Sequence, residues 1–178
     1  MHGFRASPAL LLHLENSMDK RNLALKLIAN FGVLLTLPQL TLDEKSNSCV
    51  LLFDGDIVLN IEFDEPTGQI ILSVYLDELP AEGAEPLLRE LMIANLYWHR
   101  TDGATLGLED ATNGVIMAQS RTVTELDDAS FEKMVEAFVN QAERWKKRIA
   151  AVKSGSTETA GFKPAELPAS HEAPRIFG

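Results

Sequence analysis

Apolar side chains recur along this chain with two different periods, and the alternation between them predicts the order of its elements. In residues 19–31, Leu23, Ala24, Leu27, Ile28 and Phe31 fall three and four positions apart, which gathers them on one face of a helix. Ser17 or Asp19 can cap its start, and Gly32 is its expected stop. Leu34, Leu35, Leu37, Leu40 and Leu42 follow, interleaved with Thr36, Gln39 and Thr41. Pro38 disfavours helix just before it, so this stretch is read as extended and packed.

The period then changes to two. Residues 50–53, the dipeptide Asp54-Gly55 and residues 57–63 form a hairpin signal, because Asp-Gly readily supplies the positive backbone angles of a tight turn. Ile57, Leu59, Ile61 and Phe63 share one face, and Asn60, Glu62 and Asp64 the other. A turn over 65–68 leads to a third strand with Ile70, Leu72, Val74 and Leu76 on alternate positions.

Pro80 and Pro86 bracket the entry to a second helix, continuing to Trp98. Its Leu87, Leu88, Leu91, Met92, Ile93, Ala94, Leu96, Tyr97 and Trp98 cover far more than one stripe. A helix apolar nearly all round needs two partners: one can be the sheet, and the other is expected to be a second copy of the chain. Residues 105–108 and 115–123 read as two more strands joined through Asn113-Gly114. Asp127 or Asp128 then caps a third helix carrying Phe131, Met134, Val135, Phe138, Val139, Ala142, Trp145 and Ile149. Arg144, Lys146, Lys147 and Arg148 near its end suit the helix dipole and read as a solvated helix end.

The predicted fold class is therefore α+β, α-βββ-α-ββ-α, with a five-stranded antiparallel twisted sheet and three helices, as a homodimer. Residues 1–17 are read as an N-terminal extension expected to be mobile, 18–152 as the folded domain and 153–178 as a flexible tail. That tail is rich in Gly, Ser, Thr, Pro, Glu and Ala and ends in the apolar pair Ile176-Phe177.

Charge narrows the function. The chain of 178 residues has a formal net charge of −10, and residues 41–136 alone carry 20 acidic against 5 basic side chains. This balance repels phosphate and argues against nonspecific attraction to nucleic acid or an anionic membrane. No run approaches the length of a membrane span. The lone Cys49 excludes an internal disulfide and fits a reducing compartment.

Candidate chemistry is sparse. His2, His13, His99 and His171 stand at no metal-ligand spacing from one another or from Cys49. No G-x-S-x-G turn and no glycine-rich phosphate loop is present. The carboxylate pairs Asp54/Asp56, Asp64/Glu65, Asp77/Glu78, Glu109/Asp110 and Asp127/Asp128 all fall at turns or helix starts, where turn formation and solubility explain them. No catalytic residue, metal or cofactor is expected, and the pattern points toward binding. A hydrolase using two of these carboxylates is the competing enzymatic reading.

Helix, three strands, helix, two strands and a long helix, in an acidic chain of this size, resemble the Tir chaperone (CesT) family, the class I chaperones of bacterial type III secretion. The resemblance covers about 18–149. It rests on residues 79–98, where Leu91-Met92-Ile93-Ala94-Asn95-Leu96-Tyr97 matches the family's "ll..NL" helix, on 104–108, and on the Leu126-Asp127-Asp128 entry to the last helix. It implies a homodimer in the bacterial cytoplasm that binds the extended N-terminal chaperone-binding segment of one or more secreted effectors, keeping them soluble and secretion-competent. The export ATPase is a further candidate partner, and neither nucleic acid nor membrane insertion is expected. The resemblance makes Leu88, Leu91, Met92, Asn95 and Leu96 the dimer-interface candidates. For cargo, Leu34, Leu35 and Leu37 after the first helix and Leu51 and Phe53 on the first strand are the candidates. A non-secretion adaptor with the same fold, binding a folded partner, is the alternative.

Overall fold

The structure, a computed structural model, describes residues 8–155. The tail with Ile176-Phe177, His2 and His171 lie outside the described residues. Eight principal elements follow in order: α1 (Pro8–Leu34), β1 (Ser48–Phe53), β2 (Ile57–Asp64), β3 (Gln69–Glu78), α2 (Ala84–Asn95), β4 (Thr105–Glu109), β5 (Gly114–Thr122) and α3 (Asp128–Lys153). The strands form one antiparallel sheet in the order β1-β2-β3-β5-β4. This is the predicted α+β architecture with its three helices.

Alternation decides which face of the sheet is covered. Ile57, Leu59, Ile61 and Phe63 on β2, Ile70, Leu72, Val74 and Leu76 on β3, and Val115 and Met117 on β5 are buried on the inner face. Against them lie Ala24, Leu27, Ile28 and Phe31 of α1 and Phe131, Val135, Phe138, Ala142, Trp145 and Ile149 of α3. Phe31 meets Phe131 edge to face, with ring centroids 5.4 Å apart. The Asp127 side chain accepts the Ser130 N–H while the Ser130 hydroxyl accepts the Asp127 N–H, a capping box that starts α3 where the sequence placed it.

Three local expectations are corrected. First, α1 starts at Pro8 rather than near Asp19. Proline suits the first helical position, and the leucines that follow it are good helix formers. Second, the segment after α1 is a series of turns, not an extended run. Gly32 lies in the last turn of α1, where the Leu37 N–H donates back to its carbonyl (2.7 Å) and Thr36 takes a φ of 60°. Third, α2 ends at Asn95. A kinked 3-10 turn follows, in which Tyr97 and Trp98 both adopt left-handed angles, φ 54° and 56°. For bulky residues this is a rare conformation.

The basic end of α3 is not merely solvated either. Arg148 grips Glu90 of α2 through three hydrogen bonds of 2.8–3.0 Å. Lys146 binds the carboxylate (3.1 Å) and backbone carbonyl (2.6 Å) of Asp56 in the β1–β2 turn, and Lys153 reaches Asp77 of β3 (2.8 Å). Cations on one helix thus bind an acidic turn, a strand end and a neighbouring helix. Donating to the Glu90 carboxylate raises the already high pKa of Arg148. Partial burial disfavours the Asp77 carboxylate, but bonds from Lys153 and the Glu78 N–H outweigh it and hold its pKa below the usual range.

Candidate functional site

Among the described residues, the exposed apolar side chains include those of three surfaces. The first is a groove between the C-terminal end of α1 and α3. Its floor is Phe31, Leu34, Leu35, Phe53, Val135 and Val139, and its α3 wall carries Glu132, Glu136 and Asn140. An adjoining hollow continues along the same helices past Leu27, Asn30, Asp128 and Ala129. The two hollows measure about 210 and 270 Å³ and share Phe31, Leu34 and Glu132, so they lie side by side along the same helices. Local chemistry explains the opening. The backbone turns at Thr36, leaving Leu34 at the end of its helix and largely exposed. At the far end, the Asn30 amide donates to both Asp128 carboxylate oxygens (3.1 and 2.9 Å), bridging the helices.

Of the five residues expected to meet cargo, Leu34, Leu35 and Phe53 come together in this groove. Leu51 does not: it points into the core beneath the sheet, because it alternates with Val50 and Leu52. Leu37 is exposed in the turn after α1 and does not line the groove. Val135, Val139 and Phe31 complete the floor, although sequence reading assigned them only to the core. No local signal separates a helix position that faces the sheet from one at its margin.

The second surface is the outer face and free edge of β1. Val50, Leu52 and Val58 are 60%, 64% and 53% exposed on the side of the sheet opposite the helices. The Asp43 N–H donates to the Ser48 carbonyl (2.9 Å), and beyond that bond no described element pairs with the outer edge of β1. The site candidates on this strand were Leu51 and Phe53, so Val50 and Leu52 were missed although a signal for them was present. Residues 50–53 are apolar without alternation, which a strand with one wet face does not need. Because Phe53 belongs to both β1 and the groove, the first two surfaces meet there.

The third surface is the outer side of α2. Leu87, Leu91 and Ala94 face the core, while Met92 is 75% and Leu96 62% exposed, with Ile93, Tyr97 and Trp98 also open to solvent. Five dimer candidates therefore divide. Met92 and Leu96 are on the outer side, Leu88 is half-buried against the core, and Leu91 is inside it, because it falls one turn from Leu87. Asn95 is already used within its own subunit. Its Nδ2 donates to the Leu106 carbonyl and its Oδ1 accepts the Leu106 N–H, both at 2.8 Å, so the side chain pairs with β4 as a neighbouring strand would. The sequence pattern placed Tyr97 and Trp98 in the helix, and neither was among the interface candidates.

The residues weighed for catalysis sit apart from these surfaces or lack the needed chemistry. Burial pushes the Cys49 thiol up to about 11, so it is protonated at neutral pH and is a poor nucleophile. His99 is exposed beyond the kink, its ring 6.1 Å from that of Tyr97. The carboxylate pairs fall in turns, at strand ends and at the α3 cap, and Asp56, Glu65 and Asp77 are spent on Lys146, Arg21 and Lys153. Among the described residues, no three His, Cys, Asp or Glu side chains are placed to hold a metal ion. No described helix is long and apolar enough to cross a membrane.

Known proteins share this arrangement. The transcriptional anti-antiactivator ExsC of Pseudomonas aeruginosa is 26% identical over 132 residues, covering 74% of this chain and 89% of the relative. Among solved structures, the ExsC–ExsE complex superposes with a TM-score of 0.62 at 24% identity, covering 71% of this chain and 92% of the matched one. The HopA1–SchA chaperone–effector complex gives 0.60 at 16% identity, covering 71% and 95%. These likenesses establish a shared fold. The model of the Tir chaperone protein (CesT) family matches residues 26–146, from the core face of α1 through Trp145 and its neighbour on α3, and the chain belongs to that family.

Proposed function

We propose that this protein is a type III secretion chaperone of the bacterial cytoplasm, holding the extended N-terminal segment of a secreted effector. The observation that carries this reading is the meeting at Phe53 of an open strand edge and an apolar groove. A disordered segment can add a strand to β1 through main-chain hydrogen bonds and place apolar side chains between α1 and α3. Burying apolar area at about 25 cal/mol per Å² must outweigh the ordering of that segment, which favours a long, wrapped contact over a short one. No catalytic group is required. The acidic surface keeps the empty chaperone soluble while its apolar surfaces wait for cargo. Two copies related by a two-fold axis through α2 would cover Met92 and Leu96, and extend the surface available to one cargo chain.

The test is co-expression with N-terminal segments and with separate folded domains of effectors encoded in the same genome. The reading expects one such segment to co-purify stoichiometrically and to gain protection from protease, and its secretion to fall when the chaperone gene is deleted. Binding of a folded domain alone, with the N-terminal segment left free, would replace it with the adaptor reading. The 26% identity to a protein named as an anti-antiactivator favours a second reading, in which a regulatory protein is a partner. Unchanged transcription of the secretion genes on deletion would eliminate that second reading.

A further inference from the structure

The groove between α1 and α3 has one chemically distinctive wall. Glu132 and Glu136 stand one helical turn apart beside Val135 and Val139, and no basic side chain lines either hollow. Neither glutamate has a cation or hydrogen-bond partner among the described residues. The contrast with the other end of α3 is sharp: there Lys146, Arg148 and Lys153 each hold an acidic partner. Four residues of helix rise about 6 Å, close to the ~6.6–6.8 Å between alternate side chains of an extended chain. An extended peptide lying along α3 could therefore direct apolar side chains to the floor while cations at every second position meet Glu132 and Glu136. A second copy of this chain is a poor occupant, since its own net charge of −10 opposes the wall.

We infer that Glu132 and Glu136 determine cargo specificity, selecting an extended segment in which apolar anchors alternate with Lys or Arg. This rests on the chaperone reading, which is silent about the charge of the cargo. Exposed pairs are individually weak, so the wall discriminates among apolar segments, while the apolar floor supplies most of the affinity.

The test measures fluorescence anisotropy of three labelled synthetic peptides of equal length, alternating Leu–Lys, Leu–Ser and Leu–Glu, with the full chain. The expected order is Leu–Lys tightest and Leu–Glu weakest. Glu132→Gln combined with Glu136→Gln weakens Leu–Lys binding about tenfold and leaves Leu–Ser unchanged. Leu34→Ser weakens both. A control pair, Glu44→Gln with Glu82→Gln, changes exposed carboxylates away from the groove and should have little effect. Equal loss in the control would show attraction to overall charge and overturn the inference, as would equal binding of Leu–Lys and Leu–Ser. A change in the number of subunits per particle in the glutamine variant, read by light scattering, would assign the groove to self-association and also overturn it. Effector co-purification is measured separately, so the wall can fail while the chaperone reading stands. If no effector segment co-purifies although Leu–Lys binds as expected, the chaperone reading fails instead.

Discussion

Asn95 shows how a single side chain can settle between two roles. Its amide is matched to both backbone groups of Leu106, a buried residue on the edge strand β4, and so replaces a missing neighbouring strand. An apolar substitution would leave an N–H and a carbonyl unpaired at once. Each unsatisfied buried group costs about 1–3 kcal/mol, and water reaching the strand edge recovers part of it. Asn95→Ala is therefore expected to lower the free energy of unfolding by about 2 kcal/mol in urea titrations, with subunit mass unchanged. The same residue shows the limit of reading sequence alone. The position is legible as special, a polar residue in an apolar helix, but whether its amide faces a second subunit or a nearby strand depends on where β4 docks, 11 residues on. Leu91 poses the same problem in reverse, since an apolar side chain on an all-apolar helix carries no sign of which partner it faces.

Elements were legible where a period was carried by several side chains, and were lost where one backbone angle decided. Alternation in β2 and β3 placed both strands within a residue or two of their ends, and the Asp127-Asp128 signal placed the start of α3, which runs on four residues past its last periodic apolar position, Ile149. The Asp54-Gly55 turn also formed as expected, with φ of 49° and 79°. The end of α1 was harder. Gly32 was read as a helix stop for its backbone freedom, whereas its place inside the last turn reflects space. A Cβ there would lie 2.6 Å from the Leu37 carbonyl oxygen and 2.7 Å from the Leu40 Cβ. The turn segment folds back onto the helix only because nothing projects at this point, and that fold-back leaves Leu34 and Leu35 beside the groove. Gly32→Ala improves helix propensity locally yet must displace the 37–40 backbone. The steric effect should dominate, lowering stability by about 1–3 kcal/mol in chemical denaturation. The kink at Tyr97 and Trp98 had no comparable signal. No glycine occurs there, and two aromatic residues in left-handed angles cost on the order of 1–3 kcal/mol each, which the surrounding packing must offset.

At the scale of the whole molecule, the kink gives the outer side of α2 a continuous apolar strip. Met92, Ile93 and Leu96 on the helix side run into Tyr97 and Trp98 at its end, all exposed in the single chain. Contiguous apolar surface of this kind is uncommon on monomers and marks an interaction site. Self-association through one patch requires that patch to be self-complementary about a two-fold axis, and a short helix bearing a strip on one side can satisfy this by crossing its own copy. The groove and the β1 edge lie elsewhere in the fold, so association through α2 would leave both open. Light scattering coupled to size exclusion is expected to report twice the chain mass of 19.6 kDa. Met92→Glu combined with Leu96→Glu places two like charges in each copy of the strip, without touching the core, and should return a folded species of 19.6 kDa with an unchanged circular dichroism spectrum. Leu34→Ser should leave the mass doubled, because its side chain lies in the groove between α1 and α3, away from α2. A wild-type chain running at the single-chain mass at micromolar concentration would show that the strip on α2 serves a different protein.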